Sequence, residues 1–243
     1  KVMQAVRDQV SKLIFIANNY YQIPQAKLAR ELIMLSFAGK VFFCNSGAEA
    51  NEGAIKLTRK YGQGRYEIIT LQNAFHGRTL ATLAATGQKK YQEGFLPMPE
   101  GFRQVKLNAL AEVKDAITDK TAGIMLELIQ GEGGVNVADK DFVLGLRKAC
   151  DEKKLLLIID EVQTGIGRTG KFFAYQHYGI TPDVMTLAKA LAGGLPMGAI
   201  VVRKEISDTL GAGMHASTFG GGPVVANAAL SVLKAVQDEK ILS

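Results

Sequence analysis

Apolar positions recur along this chain with two different periods. Val2, Val6, Val10, Leu13 and Ile14 form a stripe at helical spacing, and 25–35 continues as a second helical segment. From there, short apolar runs of strand length alternate with stretches of helical period. The runs at 41–44, 66–71, 104–107, 122–128, 155–160, 183–187 and 199–203 read as strands. Between them, 48–61, 79–86, 109–117 and 141–152 read as helices, and a last helix covers 224–239. Strands this apolar, separated by helices, imply an α/β architecture: a mostly parallel seven-stranded sheet with helices on both faces. There is no internal repeat, low-complexity tract or long linker, so 1–243 reads as one domain.

Composition narrows the classes without naming a function. The 47% hydrophobic and 21% charged content is that of an ordinary globular protein. The longest clear apolar run, 155–159, falls far short of the ~20 residues a membrane helix needs, and no signal-peptide pattern opens the chain. The net charge is +6, but it is scattered into pairs such as Lys89 with Lys90 and Lys153 with Lys154. No aromatic residues interleave with a basic stripe, so a nucleic-acid partner is not expected. A basic site that receives anionic substrates gives the same bias. Cys44 and Cys150 sit in apolar segments and read as buried free thiols, which suits a reducing cytoplasm. The chain opens without Met and stops soon after a helix, the pattern of a piece of a longer protein.

In an open α/β sheet, ligands bind beyond the carboxyl ends of the strands, so the chemistry is sought there. After the first strand, Ser46, Gly47, Ala48 and Glu49 open a helix. That string is a capping box, with Ser46 as cap and Glu49 reaching back, and equally a phosphate cradle of free amides. Phe75 and Arg78 follow the second strand: one could stack on a flat ring, the other could clamp a carboxylate. Glu127 and Glu132 bracket a glycine-containing stretch after the fourth strand. Asp160 ends the fifth, where a buried acid needs a cation or donors, such as a protonated ring nitrogen. Gly165–Gly170 matches G-x-G-x-x-G, but it neither follows a strand directly nor opens a long helix, which leaves dinucleotide binding a minor alternative. Lys189 lies among Ala188, Ala190 and Leu191 ahead of two glycines, surroundings that would desolvate its amine and make it a nucleophile toward carbonyls. Ser217 and Thr218 precede a glycine run and a helix, as caps or as phosphate ligands.

In this order the strings NSGAEAN, AFHGRT, IQGEGGV, DEVQTGIGRTG, TLAKALAGG and STFGG resemble the class III aminotransferases, fold-type I enzymes that use pyridoxal 5'-phosphate. The resemblance covers essentially the whole chain, and the Asp160-to-Lys189 spacing suits it. It implies that Lys189 carries the cofactor and later moves the substrate proton, and that Asp160 pairs with the ring nitrogen. Phe75 would stack on the ring, Val162 pack against it and Gln163 approach its phenolic oxygen. Ser46, Gly47 and Ala48 would bind the phosphate together with Thr218 of the partner subunit in a homodimer with shared sites. Arg78 and Ser217 would contact substrate, and Glu132 would be a gating acid. No metal is implied. The expected reaction moves an ω-amino group from N2-acetyl-L-ornithine to 2-oxoglutarate in cytoplasmic arginine biosynthesis. Ornithine, succinylornithine and 4-aminobutyrate are alternative donors. Outside the family, the alternatives are a nicotinamide-dependent dehydrogenase and a non-catalytic interaction domain.

Three positions depart from the pattern. Leu128 stands where proline is usual, Ala216 replaces a glycine and Gly222 an asparagine, and the stretch around 61–66 is a few residues short. The family's N-terminal segment and its C-terminal small domain, which supplies a carboxylate-binding arginine, are expected outside this chain.

Overall fold

The structure, a computed structural model, describes residues 1–242; Ser243, the last residue of the expected domain, lies outside the described residues. Seven strands form the main sheet: β1 (Gly39–Cys44), β2 (Glu67–Leu71), β3 (Phe102–Val105), β4 (Thr121–Leu126), β7 (Leu156–Asp160), β8 (Val184–Leu187) and β9 (Gly198–Arg203). Their spatial order is β1-β9-β8-β7-β4-β2-β3. The pairs from β8 through β7, β4 and β2 to β3 are parallel, whereas β9 runs antiparallel to both β8 and β1. The mostly parallel, helix-covered sheet expected from the pattern is therefore present.

Side-chain alternation along these strands divides the interior in two. On β7, Leu156 and Ile158 face one core while Leu157 and Ile159 face the other, and on β9 Ile200 and Val202 oppose Ala199 and Val201. Helix α3 (Gly47–Tyr61) covers the first core with Ala50, Ala54, Ile55 and Leu57. The second is covered by α2 (Ile23–Leu35), α6 (Lys140–Lys153) and α7 (Pro223–Asp238), after which α1 (Val2–Val10) packs on α7. Two shorter helices, α4 (Leu80–Ala85) and α5 (Leu110–Ala116), complete the set. Leu128, the departure from proline, is completely buried in the second core.

Several boundaries differ from the periodic reading. Helix α1 stops at Val10, and Leu13, Ile14 and Phe15 are exposed in the segment that follows. The glycine-containing stretch after β4 is the loop of a small hairpin, β5 (Ile129–Gln130) with β6 (Asn136–Val137), too short to carry a period-2 signal. Gly165–Gly170 lies in a run of turns between β7 and a short 3-10 turn at Ala174–His177, without the strand-to-helix setting a dinucleotide fingerprint needs. No described helix is long and apolar enough to cross a membrane. Cys44 and Cys150 are buried free thiols, and burial pushes each up to about 12.

Candidate active site

The carboxyl ends of β1, β2, β4, β7 and β8 lie along one edge of the sheet, because β9 alone runs the other way between β1 and β8. A cavity of about 440 Å³ opens at that edge. Each neighbouring strand delivers a residue to it. Asn45 to Ala48 follow β1, Phe75 to Arg78 follow β2, and Glu127 follows β4. Asp160 ends β7, with Val162 and Gln163 after it, and Lys189 follows β8. The reversed β9 contributes its approach instead, Gly194 to Met197.

Helix α3 starts at the cavity wall. Ser46 Oγ accepts a hydrogen bond from Glu49 N at 3.1 Å, so the expected cap is present. The return half of the box is displaced by one residue: Glu49 Oε2 accepts from the Asn45 backbone N at 3.0 Å and from Asn45 Nδ2 at 2.9 Å. The first amides of a helix have no carbonyl four residues back to bond to, so those of Gly47 and Ala48 remain available to an anion. A Cβ on Gly47 would stand 2.8 Å from Val162 Cγ1, so only glycine lets the helix start this close to the strand end.

Asp160 is buried at 3% exposure, and three donors offset the cost of its charge there. Asn51 Nδ2 donates to Oδ2 at 2.7 Å, and the Val162 backbone N donates to Oδ1 at 3.0 Å. His76 Nδ1 lies 2.8 Å from Oδ2, and because a carboxylate only accepts, Nδ1 carries the proton. Burial by itself would lower the His76 pKa, but the hydrogen bond and charge of Asp160, with Glu127 beyond, outweigh it and raise it. His76 Nε2 and Asn51 Oδ1 remain buried at the cavity wall without a partner among the described residues. Glu127 Oε2 accepts from the Phe75 backbone N at 2.9 Å, which ties the loop after β2 to the end of β4. Burial pushes Glu127 up to about 7; Asp160 adds to the rise, while His76, the Phe75 amide and Lys189 oppose it.

Lys189 corrects one expectation. Its neighbours Ala188, Leu191 and Ala192 are buried, but its own side chain is exposed at the open side of the cavity rather than desolvated by them. It makes no hydrogen bond or ion pair among the described residues. Its backbone is left-handed at φ 44°, uncommon outside glycine, and such outliers gather at functional sites. Arg78 is likewise without a carboxylate partner among the described residues. Its guanidinium lies over the Tyr91 ring at 4.1 Å and the Phe75 ring at 5.4 Å, and Phe75 meets Tyr91 edge-on.

Of the residues singled out in the sequence, Ser46, Gly47, Ala48, Phe75, Arg78, Asp160, Val162, Gln163 and Lys189 line this one cavity. Three do not. Glu132 is exposed on the β5–β6 hairpin, beside the loop where Gly131 approaches Gln163. Ser217 and Thr218 line a separate cleft with Phe42 and His215, although Asn45 Nδ2 reaches Ser217 Oγ at 3.3 Å. Neither hydroxyl caps α7, whose N-cap is Gly222; Ser217 Oγ accepts from Gly220 N instead. Glu127, Asn51, His76 and Tyr91 complete the surroundings without having been assigned a role from the sequence. Asn51 follows Gly47 by one helical turn and His76 follows Phe75, and those positions are the only signal the sequence offers for them.

The model of the family described as aminotransferase class-III matches residues 1–243. The chain belongs to the class-III aminotransferases. Among curated relatives of this family, the acetylornithine aminotransferase of Methanocaldococcus jannaschii is 53% identical over 251 aligned residues, covering 100% of this chain and 63% of that protein. The succinylornithine transaminase of Yersinia pseudotuberculosis is 46% identical over 253 residues, covering 100% and 61%. Among solved structures, the ornithine aminotransferase of Toxoplasma gondii superposes with a TM-score of 0.95 at 31% identity, covering 99% of this chain and 59% of that one. The chain thus spans about three fifths of the length of the class-III aminotransferases it matches.

Proposed function

We propose that this chain carries the cofactor site of a pyridoxal-phosphate aminotransferase that moves an ω-amino group from N2-acetyl-L-ornithine to 2-oxoglutarate. The observation that carries this reading is the meeting, in one cavity, of a partnerless Lys189 amine, the buried Asp160 carboxylate and the start of α3. Those residues fit the cofactor. Two amides and a helix dipole suit a dianionic phosphate, and the orphan His76 Nε2 and Asn51 Oδ1 mark the wall beside Asp160 as built for more than packing. The M. jannaschii relative supports the acetylated donor, and the Yersinia relative keeps succinylornithine as the second reading. Both donors are ornithines acylated on the α-amine, with a single free amine to transfer.

When bound, pyridoxal phosphate supplies an electron-accepting ring. The rest of the work falls to the chain. Ser46, Gly47 and Ala48 would hold the phosphate, and Asp160 would keep a proton on the ring nitrogen. Phe75 and Val162 would confine the ring, and Gln163 would be the residue for its phenolic oxygen. Lys189 Nζ would hold the group and, once released as a free amine, would carry the proton from the amine-bearing carbon of the donor, a positioned transfer that contributes roughly 10²–10⁴-fold. Arg78 and Ser217 would contact substrate, and Glu132 on its exposed hairpin would gate the change from one substrate to the other. Two half-reactions give ping-pong kinetics. The working protein is a cytoplasmic homodimer in which each subunit lends Thr218 to its neighbour's site.

Borohydride reduction of the full-length holoenzyme followed by peptide mass mapping tests the assignment. The cofactor mass is expected on the peptide containing Lys189; its appearance on Lys171 or Lys204 would overturn the reading.

A further inference from the structure

The segment 211–222 carries Ser217 and Thr218 outside the cavity and is held on both sides, with Asn45 on the Ser217 hydroxyl and Gln25 on the Gly220 and Gly221 carbonyls among its contacts. At its C-terminal side, Asn18 Nδ2 donates to Ser217 O at 2.7 Å and to Gly220 O at 3.0 Å. At its N-terminal side the pin is His215. The imidazole stacks at a tilt on Phe42 of β1, with centroids 4.6 Å apart. Its Nδ1 lies 3.0 Å from Lys56 Nζ, and Lys56 reaches the neighbouring Met214 carbonyl at 3.4 Å. An ammonium only donates, so Nδ1 must accept, and the bond exists only while the ring is neutral. Helix α3 makes room for the ring. A Cβ on Gly53 would stand 3.1 Å from His215 Nε2 and 2.3 Å from Ile200 Cδ1, so a side chain there would press on both.

Thr218 is exposed between Ser217 and Gly220, the two residues whose carbonyls Asn18 holds, three residues beyond His215. The helix that starts at the cavity with Gly47 also carries Lys56, and so relates the subunit's own cavity to the loop it presents outward. We propose that His215, held by Lys56, is a positioning residue that fixes the N-terminal side of the 211–222 loop so that Thr218 is presented to the cofactor phosphate of a neighbouring subunit, and that protonating His215 loosens that side. This rests on the reading that Thr218 serves a partner's site.

The charged groups that face the imidazole are Lys56 and Glu49, both on α3, and β1 offers only the Phe42 ring. Burial and Lys56 lower the His215 pKa against the opposing pull of Glu49. The neutral ring, and with it the latch, therefore persists somewhat below the ordinary imidazole range. Below that, two cations would stand at hydrogen-bond distance and the contact becomes repulsive.

The test is the dissociation constant of pyridoxal phosphate for the full-length protein, followed by absorbance from pH 5.5 to 8. His215→Phe keeps the ring stack but loses the acceptor, Lys56→Met removes the donor from an exposed position, and Thr218→Ala reports on the shared site itself. At pH 8 each variant is expected to bind the cofactor roughly tenfold more weakly, the equivalent of one hydrogen bond. The His215 and Lys56 changes should be non-additive when combined. The gap between the native protein and His215→Phe should close as the pH falls and the native histidine protonates. If Thr218→Ala weakens binding while His215→Phe and Lys56→Met match the native protein at every pH, the latch is overturned and the shared site stands. If Thr218→Ala binds as the native protein does, the shared-site reading fails and the latch with it.

Discussion

A carboxylate taken out of water must be matched by donors or cations, and the two acids at this cavity are matched unequally. Asp160 accepts from Asn51, His76 and the Val162 amide, whereas among the described residues Glu127 accepts only from the Phe75 amide. The consequence can be measured at Glu127. Its carboxyl is raised from 4.5 to about 7, so the fold favours its protonated form. That contribution to stability is fully present below pH 4.5 and is lost as the pH rises through about 7. Glu127→Gln, which keeps an acceptor for the Phe75 amide but cannot ionise, should therefore gain on the native protein as the pH rises. The gain should approach roughly 3 kcal/mol above pH 8, since each tenfold rise in the proton affinity of the folded carboxyl is worth about 1.4 kcal/mol. Denaturant unfolding of full-length protein without cofactor at pH 5 and pH 8 measures the gap, and a gap that does not change with pH would refute the account. Glu161, next in the chain after Asp160, shows how position alone misleads. Its oxygens are occupied by Thr164 and by the Ala174 and Tyr175 amides, so it anchors the segment after β7 and does not line the cavity.

At the scale of an element, α3 does most of the organising. Small residues at Ala50, Gly53 and Ala54 let it lie close on the sheet, Ser46 caps it, and its first turn opens at the cavity. Gly47 is where that closeness is tested most directly, because Val162 is β-branched and cannot swing clear of an added methyl. Gly47→Ala should leave the melting temperature within a few degrees of the native value, since alanine favours the helix itself. Cofactor affinity should fall by about tenfold or more as the first turn shifts away from Val162. An absorbance titration with pyridoxal phosphate checks this; native affinity would mean that the first turn tolerates the displacement.

For the whole molecule, the decisive feature is that Ser217 and Thr218 face a cleft apart from their own chain's cavity. The same side exposes Phe15 and Phe219, which touch with ring centroids 5.3 Å apart, and Tyr20 and Tyr21 of the N-terminal segment are also exposed. Apolar surface of this kind calls for cover. Subunit exchange between a Lys189→Ala protein and a Thr218→Ala protein, both full length, tests whether that cover is a second copy. If the site is shared, the heterodimer has one site with both residues intact and one with neither, and activity should exceed that of either parent. If Thr218 serves its own subunit, every site keeps one defect and mixing brings no gain.

The period of the apolar residues was enough to determine the α/β class and the order of the seven main strands with the longer helices between them, though not the β5–β6 hairpin, because each of those runs is long enough to span a buried sheet. Motifs after the strands were enough to name most of the cavity wall, since a parallel sheet brings residues that are distant in the chain to one edge. Tertiary structure alone decided the rest. The reversal of β9, the exposure of Lys189 and the placing of Asn51 and His76 around Asp160 all depend on which strands become neighbours. Local pattern sets the face a side chain presents, but only the packed sheet sets what that face meets.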